Sequence, residues 1–260
     1  MKNAILTLSI FSFLFISCEK EIDIDLNDAD QKIVIVGTVT NLDEPAQVRI
    51  TKSVPFDQLN VFPAVTNGQV EITRVNGSEI SIFSLVEVEP GVYRSSEPIG
   101  QQGATFRLRI AAEGEVYEAQ STMPGEVEVV DFYFEEFLPG SLNPGVDFVD
   151  VAGVSNFYKA NLLINGEVRP EIFITDDLFT DGQINNALFG GPDLEFNAGD
   201  LVEIQIDQID QANYNYWFTM SQNVNEATAA PANPESNISN GALGYFSAFS
   251  RTTVSGIVPE

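Results

Sequence analysis

The stretch Thr105-Phe-Arg-Leu-Arg-Ile-Ala-Ala-Glu-Gly-Glu-Val-Tyr-Glu-Ala-Gln-Ser121 is the part of this chain that decides its fold class. Apolar Phe106, Leu108 and Ile110 alternate with polar residues, and this period of two is typical of a strand with one buried face. The pair Glu113-Gly114 contains turn-forming residue types and leads back into a second strand. The stretch therefore predicts a β-hairpin.

The same alternation of short strands and turns extends over residues 31–124. Apolar or alternating runs predict further strands at residues 32–40, 46–52, 69–75, 80–88 and 115–121. Asn76-Gly77 predicts a hairpin turn, and Pro90-Gly91 predicts another turn. About seven short strands with frequent turns are typical of a β-sandwich. We therefore predict an N-terminal β-sandwich, immunoglobulin-like or prealbumin-like, over residues 31–124.

Residues 125–260 predict a second β-rich unit that contains one helix. Strands are expected at residues 127–134, 156–164, 167–175, 201–209 and 244–254. Asn165-Gly166 predicts a type I′ hairpin, and the Pro- and Gly-punctuated residues 138–145 predict a loop. Aromatic residues with helical spacing predict an α-helix near residues 210–224, with Asp210 as its N-terminal cap. The predicted fold class is all-β, with two β-sandwich-like units, the second carrying one α-helix.

The residue types present exclude several kinds of chemistry. The chain has no histidine and one cysteine, so it cannot form a Ser-His-Asp triad or a zinc site with nitrogen and sulfur ligands. Its formal net charge of -26 has the wrong sign for binding nucleic acid. We therefore expect no enzymatic activity, no nucleic-acid partner and no cofactor. Carboxylate-dependent hydrolysis is an alternative, with Glu135-Glu136, Asp147 and Asp150 as candidate pairs.

The single cysteine follows a short apolar N-terminus. The apolar run at residues 4–16 and the small residue Ser17 have the layout of a secretory signal peptide, and the run is too short to span a bilayer. The tetrad Phe15-Ile-Ser-Cys18 resembles a bacterial lipobox. We expect cleavage after Ser17 and attachment of diacylglycerol and an acyl chain to Cys18, which would anchor the protein stably in a membrane. Residues 18–30 would then form an acidic tether.

A set of motifs along the chain resembles a known family. Besides the lipobox, the set comprises Ile35-Val-Gly-Thr-Val-Thr-Asn41, Pro45-Ala-Gln-Val48, Pro90-Gly-Val-Tyr93, Asp176-Asp-Leu-Phe-Thr-Asp-Gly182, Gly199-Asp-Leu-Val202 and Asn237-Ile-Ser-Asn-Gly-Ala-Leu-Gly-Tyr-Phe246. Their order is similar to that in the Bacteroidota lipoproteins catalogued as domain of unknown function 4249. The resemblance implies an outer-membrane lipoprotein, often encoded near TonB-dependent transporters, and it implies no catalytic residues.

Two groups of residues are candidates for binding. Asp176, Asp177 and Asp181 precede Gly182 and are calcium candidates, although their spacing differs from that of an EF-hand loop. Because a polar turn with Asx-type hydrogen bonds explains these residues better than a calcium site does, we expect no metal. Tyr214 and Trp217 in the predicted helix are candidates for an aromatic ligand platform, although such stripes more often face a core.

These observations lead to an expected function. We expect a lipid-anchored, surface-exposed protein of the outer membrane that acts as a non-catalytic binding or accessory component of a TonB-dependent transporter. A surface adhesin or structural lipoprotein is the first alternative. The carboxylate-dependent hydrolase is the second.

Overall fold

The computed structural model describes residues 31–55, 61–138, 140–191, 194–225 and 233–260. Within these ranges the elements are β1 (Ile33–Thr40), β2 (Gln47–Lys52), β3 (Gln69–Asn76), β4 (Glu79–Glu89), β5 (Val92–Arg94), β6 (Thr105–Ala112), β7 (Glu115–Thr122), β8 (Glu128–Leu138), β9 (Ser141–Val149), β10 (Phe157–Ile164), β11 (Glu167–Val168), β12 (Phe173–Asp176), β13 (Ile184–Leu188), β14 (Leu201–Ile209), α1 (Gln211–Asn225) and β15 (Leu243–Ile257). The predicted all-β class, with one helix near residues 210–224, is confirmed. In the described ranges no helix has the length and apolar character needed to cross a membrane.

The strands form two sheets. The larger sheet has the order β11-β10-β14-β15-β1-β2-β5-β4-β3-β6-β7, with β12 added beside β10. The smaller sheet has the order β13-β9-β8. Neighbouring strands are antiparallel except for β1 and β15, which run parallel.

Strands β1 to β7 of the larger sheet fold over a hydrophobic cluster. The sheet can fold over at strand β4. The first part of β4 pairs with β3 and its last part pairs with β5, with a register shift between Glu87 and Glu89. Phe106, Leu108 and Ile110 of β6 are buried, as their alternation predicts. This first cluster includes Ile35, Val48, Ile50, Ile72, Tyr93, Phe106, Leu108, Ile110, Met123 and Phe246.

Strand β15 connects the first cluster to a second one. Its residues 243–249 pair with β1, and its residues 250–257 pair with β14. The second cluster includes Val127, Val146, Phe148, Tyr158, Leu162, Phe189, Val202, Ile204, Ile206 and Val258. The predicted boundary at Pro124-Gly125 falls where the chain passes from one cluster to the other, yet residues 31–260 form one compact unit. The division into two units stays a prediction.

Three local predictions need correction. The loop expected at residues 138–145 is largely strand, because β9 begins at Ser141 and pairs with β8. Gly145 is not a chain breaker there; it leaves the space that the ring of Tyr133 occupies. The strand expected at residues 167–175 is split into β11 and β12, and the turn after β3 is centred on Gly77-Ser78, one residue later than predicted.

Helix α1 begins at a side-chain cap. Asp210 Oδ1 accepts a hydrogen bond from the backbone N of Asn213 at 3.0 Å, which satisfies a free donor of the first turn. Asp210 Oδ2 accepts hydrogen bonds from Ser121 Oγ at 2.6 Å and from the backbone N of Thr122 at 3.1 Å. The predicted cap is therefore confirmed, and it also fixes the start of the helix against the end of β7.

Candidate functional site

Three charged residues form a row across neighbouring strands of the larger sheet. Lys159 of β10 lies opposite Asp207 of β14, and Asp207 lies opposite Arg251 of β15. Side chains that lie opposite one another in a sheet project from the same face. The register of three strands therefore places two cations and one anion side by side.

Arg251 and Asp207 form a two-bonded ion pair. Arg251 Nε donates to Asp207 Oδ1 at 2.6 Å, and Arg251 Nη2 donates to Asp207 Oδ2 at 2.9 Å. Burial acts to lower the pKa of Arg251, but the hydrogen bonds and charge of Asp207 outweigh it, so the pKa is raised. Asp207 is only 3% exposed and also accepts a hydrogen bond from Asn161 Nδ2 at 3.1 Å. The carboxylate of the row is therefore fully engaged.

Lys159 is less well paired than Arg251. Its Nζ donates to Asn161 Oδ1 and lies 4.6 Å from the centre of the Trp217 ring, a cation–π distance. Within the described ranges, no carboxylate lies within 4.0 Å of Lys159 Nζ. Burial lowers the pKa of Lys159, and the charge of Asp207 opposes this only in part.

Aromatic side chains from α1 and β15 stand beside the row. The ring centres of Trp217 and Tyr245 are 5.2 Å apart, and those of Tyr216 and Tyr245 are 4.8 Å apart. Burial, with smaller contributions from Tyr216 and Asp207, raises the pKa of Tyr245 to about 12. The phenol therefore stays neutral at physiological pH and can act as a wall or a hydrogen-bonding group.

The charged row and the aromatic wall enclose a cavity of about 280 Å³, which we call the Trp217 pocket. Its lining includes Lys159, Asp207, Trp217, Tyr245, Ser247 and Arg251. Ser247 is 2% exposed, and its Oγ has no hydrogen-bond partner among the described residues. Buried polar atoms are nearly always paired in folded proteins. The pocket thus combines an apolar wall with a few converging polar groups, which is typical of small-molecule sites.

The two aromatic candidates from the sequence have different environments. Trp217 lines the pocket, as described above. Tyr214 lies outside it and packs against Phe218 and Phe157, with ring-centre distances of 5.7 and 5.0 Å. Among helix residues 211–222, whose burial the structure describes, the buried ones are Asn213, Tyr216 and Ser221 rather than the predicted stripe.

The calcium candidates are only partly brought together. Oxygens of Asp177 and Asp181 lie within 4.8 Å of each other and of an oxygen of Asp150, whereas Asp176 is not in this group. Asp150 was a sequence candidate for hydrolysis instead. Backbone amides of Gly182, Asn156 and Gly153 donate to the carboxylates of Asp150, Asp177 and Asp181 at 2.8, 2.8 and 2.7 Å. These bonds hold two loops together, and the expectation of no metal stays a prediction.

The other carboxylates considered for hydrolysis make separate local contacts. Glu136 Oε1 accepts a hydrogen bond from the backbone N of Gly140 at 2.6 Å, and Asp147 Oδ1 accepts one from Asn186 Nδ2 at 2.7 Å. Ser17 and Cys18, the predicted cleavage and lipidation residues, lie outside the described residues.

A second cavity, of about 350 Å³, lies between the two sheets. Its lining is mostly apolar and includes Phe148, Phe173, Phe189 and Ile206. Asn185 is one of its few polar residues; it is 9% exposed, and its Nδ2 has no hydrogen-bond partner in the described part of the chain. The Trp217 pocket has the richer set of polar groups and is therefore the stronger candidate site.

Sequence reasoning found only Trp217 of the Trp217 pocket; the residues it missed include Lys159, Asp207, Tyr245, Ser247 and Arg251. Each lies in a strand that the sequence predicts, and no local pattern around it indicates a binding site. One signal was present, since the alternation of Val202, Ile204 and Ile206 places Asp207 on the opposite face of β14. Nothing in the sequence indicates that α1 covers that face.

A family whose description reads "Domain of unknown function (DUF4249)" matches residues 19–255. Among curated proteins, the comparison finds no match.

Proposed function

This chain belongs to the family described as Domain of unknown function (DUF4249), and from that premise we propose that it is a non-catalytic binding protein of the cell envelope. The observation that carries the proposal is the Trp217 pocket, where an aromatic wall meets the row of Lys159, Asp207 and Arg251. Rigid strands hold the three charged residues, and binding sites on such elements are better preorganised than sites on loops.

The binding role is tested on the natively purified full chain. Mass spectrometry under non-denaturing conditions should detect a co-purifying small molecule, which a Trp217→Ala variant should lose. Phe218→Ala is the matched control, because Phe218 is the next residue of α1 and is 43% exposed. Absence of any bound molecule in the unaltered protein, or retention of it by Trp217→Ala, would count against the pocket as the binding site.

The proposed location rests on the N-terminal sequence. We propose that Cys18 carries diacylglycerol and an acyl chain after cleavage behind Ser17, and that this lipid anchors the protein in the outer membrane with its folded part at the cell surface. Two or more acyl chains give stable anchoring, whereas one chain binds only reversibly. Cys18→Ala should move the protein from the membrane fraction to the soluble fraction, and an unchanged membrane fraction would refute the anchor.

We further propose that the protein assists a TonB-dependent transporter as its binding or accessory component. Support comes from the resemblance to lipoproteins often encoded near such transporters and from a pocket suited to a small ligand. Mild crosslinking of native membranes followed by purification should recover a β-barrel transporter. Recovery of the protein alone would favour the adhesin or structural alternative, which a whole-cell attachment assay on a deletion strain would then test.

A further inference from the structure

The charges that line the Trp217 pocket do not balance. Arg251 takes both oxygens of Asp207, which leaves Lys159 as a second cation with no carboxylate at salt-bridge distance among the described residues. A partly buried ammonium group that lacks a counter-ion is energetically unfavourable. The pocket therefore has an excess of one positive charge in a chain whose formal net charge is -26.

Ser247 provides a second and independent indication of a ligand. It lies opposite Thr38 in the pairing of β15 with β1, and it shares a face of β15 with Tyr245 and Arg251 because they are separated by two and four residues. Its hydroxyl lines the pocket without a partner. A buried hydroxyl of this kind gains a hydrogen bond when a ligand oxygen binds beside it.

We propose that the ligand of the Trp217 pocket carries one carboxylate, which accepts hydrogen bonds from Lys159 Nζ and Ser247 Oγ, and an apolar or ring-shaped body that lies against Trp217 and Tyr245. This inference rests on the proposed binding function of the same pocket. A single carboxylate neutralises the excess charge of the lining, whereas a dianionic phosphate would leave a net negative charge beside Asp207. A flat body suits the aromatic wall, since rings pack well against indole and phenol faces.

The only tryptophan of the chain reports directly on this pocket. Titration of the full chain with benzoate should change the emission of Trp217 in a saturable way. Benzamide has nearly the same shape without the charge. It should bind at least about tenfold more weakly than benzoate, because a hydrogen bond to a charged group is lost. Inorganic phosphate should bind more weakly than benzoate.

Two variants assign the contacts. Lys159→Met keeps the length of the side chain and removes its charge, and it should weaken benzoate binding about tenfold or more. Ser247→Ala should weaken it by a smaller factor of about five. Lys32→Met is the matched control, because Lys32 is exposed and lies outside the pocket, and it should leave benzoate binding unchanged. Circular dichroism verifies that each variant folds. If Lys159→Met does not fold, Ser247→Ala and the comparison of benzoate with benzamide still test the carboxylate assignment.

The outcomes separate the carboxylate inference from the proposed function. Equal binding of benzoate and benzamide, tighter binding of phosphate, or unchanged benzoate binding in Ser247→Ala and folded Lys159→Met would overturn the carboxylate assignment while leaving a binding pocket in place. If no probe changes the emission and the native protein carries no small molecule, both the assignment and the proposed function are wrong.

Discussion

Replacement of Arg251 by methionine should strongly destabilise the fold. The variant keeps the apolar stem of the side chain and removes both hydrogen bonds to Asp207, at 2.6 and 2.9 Å. Asp207, which is 3% exposed in the unaltered protein, would keep the hydrogen bond from Asn161 Nδ2, whose length there is 3.1 Å. Breaking a buried ion pair by removing one partner costs about 3–5 kcal/mol. Since domains are stable by roughly 5–15 kcal/mol in total, the loss is large.

The assay is urea unfolding at pH 7, read as the change in the free energy of unfolding at a constant slope. Arg109→Ala is the control, because Arg109 Nε lies 3.9 Å from Glu118 Oε1 and both side chains are more than half exposed. That pair should contribute less than about 1 kcal/mol. A second arm combines Arg251→Met with Asp207→Leu, which removes the unpaired charge and should restore most of the stability. The reasoning is refuted if Arg251→Met costs less than about 1 kcal/mol, or if the double variant is no more stable than the single one.

Three further predictions concern other parts of the molecule. Gly244→Ala should lower the melting temperature severely, because Gly244 has a φ of +92° and a Cβ there would collide with the carbonyl oxygen of Ile35. Gly125 has open space around it, so Gly125→Ala should change the melting temperature little, and similar shifts in both variants would contradict the steric argument. Asn185→Leu should leave the free energy of unfolding unchanged or raise it by about 1 kcal/mol, because it removes an unpaired buried donor, and a clear loss in urea unfolding would mean that the amide has a partner. Between about pH 10 and pH 12 the urea midpoint should fall. The unfolded chain loses its tyrosine protons near pH 10, whereas the folded state keeps the proton of Tyr245 up to its raised pKa of about 12. A flat midpoint over this range would show that burial does not raise the pKa of Tyr245.

Local features of the fold were predictable because short-range chemistry determines them. Asn165 and Gly166 have φ values of +53° and +84°, which a type I′ turn requires and which few other residue types adopt. The alternation in β6 and β14 and the cap at Asp210 are likewise set within a few residues. Gly145 shows the converse, because its role depends on the ring of Tyr133 in the neighbouring strand, which the local sequence does not show.

The candidate site was predictable only at Trp217. Lys159, Asp207 and Arg251 come together through strand pairings that join distant parts of the chain, and no local pattern encodes that register. A sequence shows that Asp207 lies on the polar side of β14, but it does not show that a helix covers that side. Tyr214 and Trp217 look alike in the sequence, and only the packing of α1 separates the pocket residue from its neighbour.

Strand β15 ties the two hydrophobic clusters to each other. Of the strands that the structure describes, β1 comes first in the chain and β15 last, and the opening residues of β15 pair with β1. Neither cluster is complete until β15 has joined the larger sheet, because Phe246 of β15 belongs to the first cluster and Val254 packs against the second. Contacts so far apart in sequence form slowly. Until that moment the edges of β1 and β14 are open to other chains, so a chaperone that shields them during this interval would raise the yield of native protein.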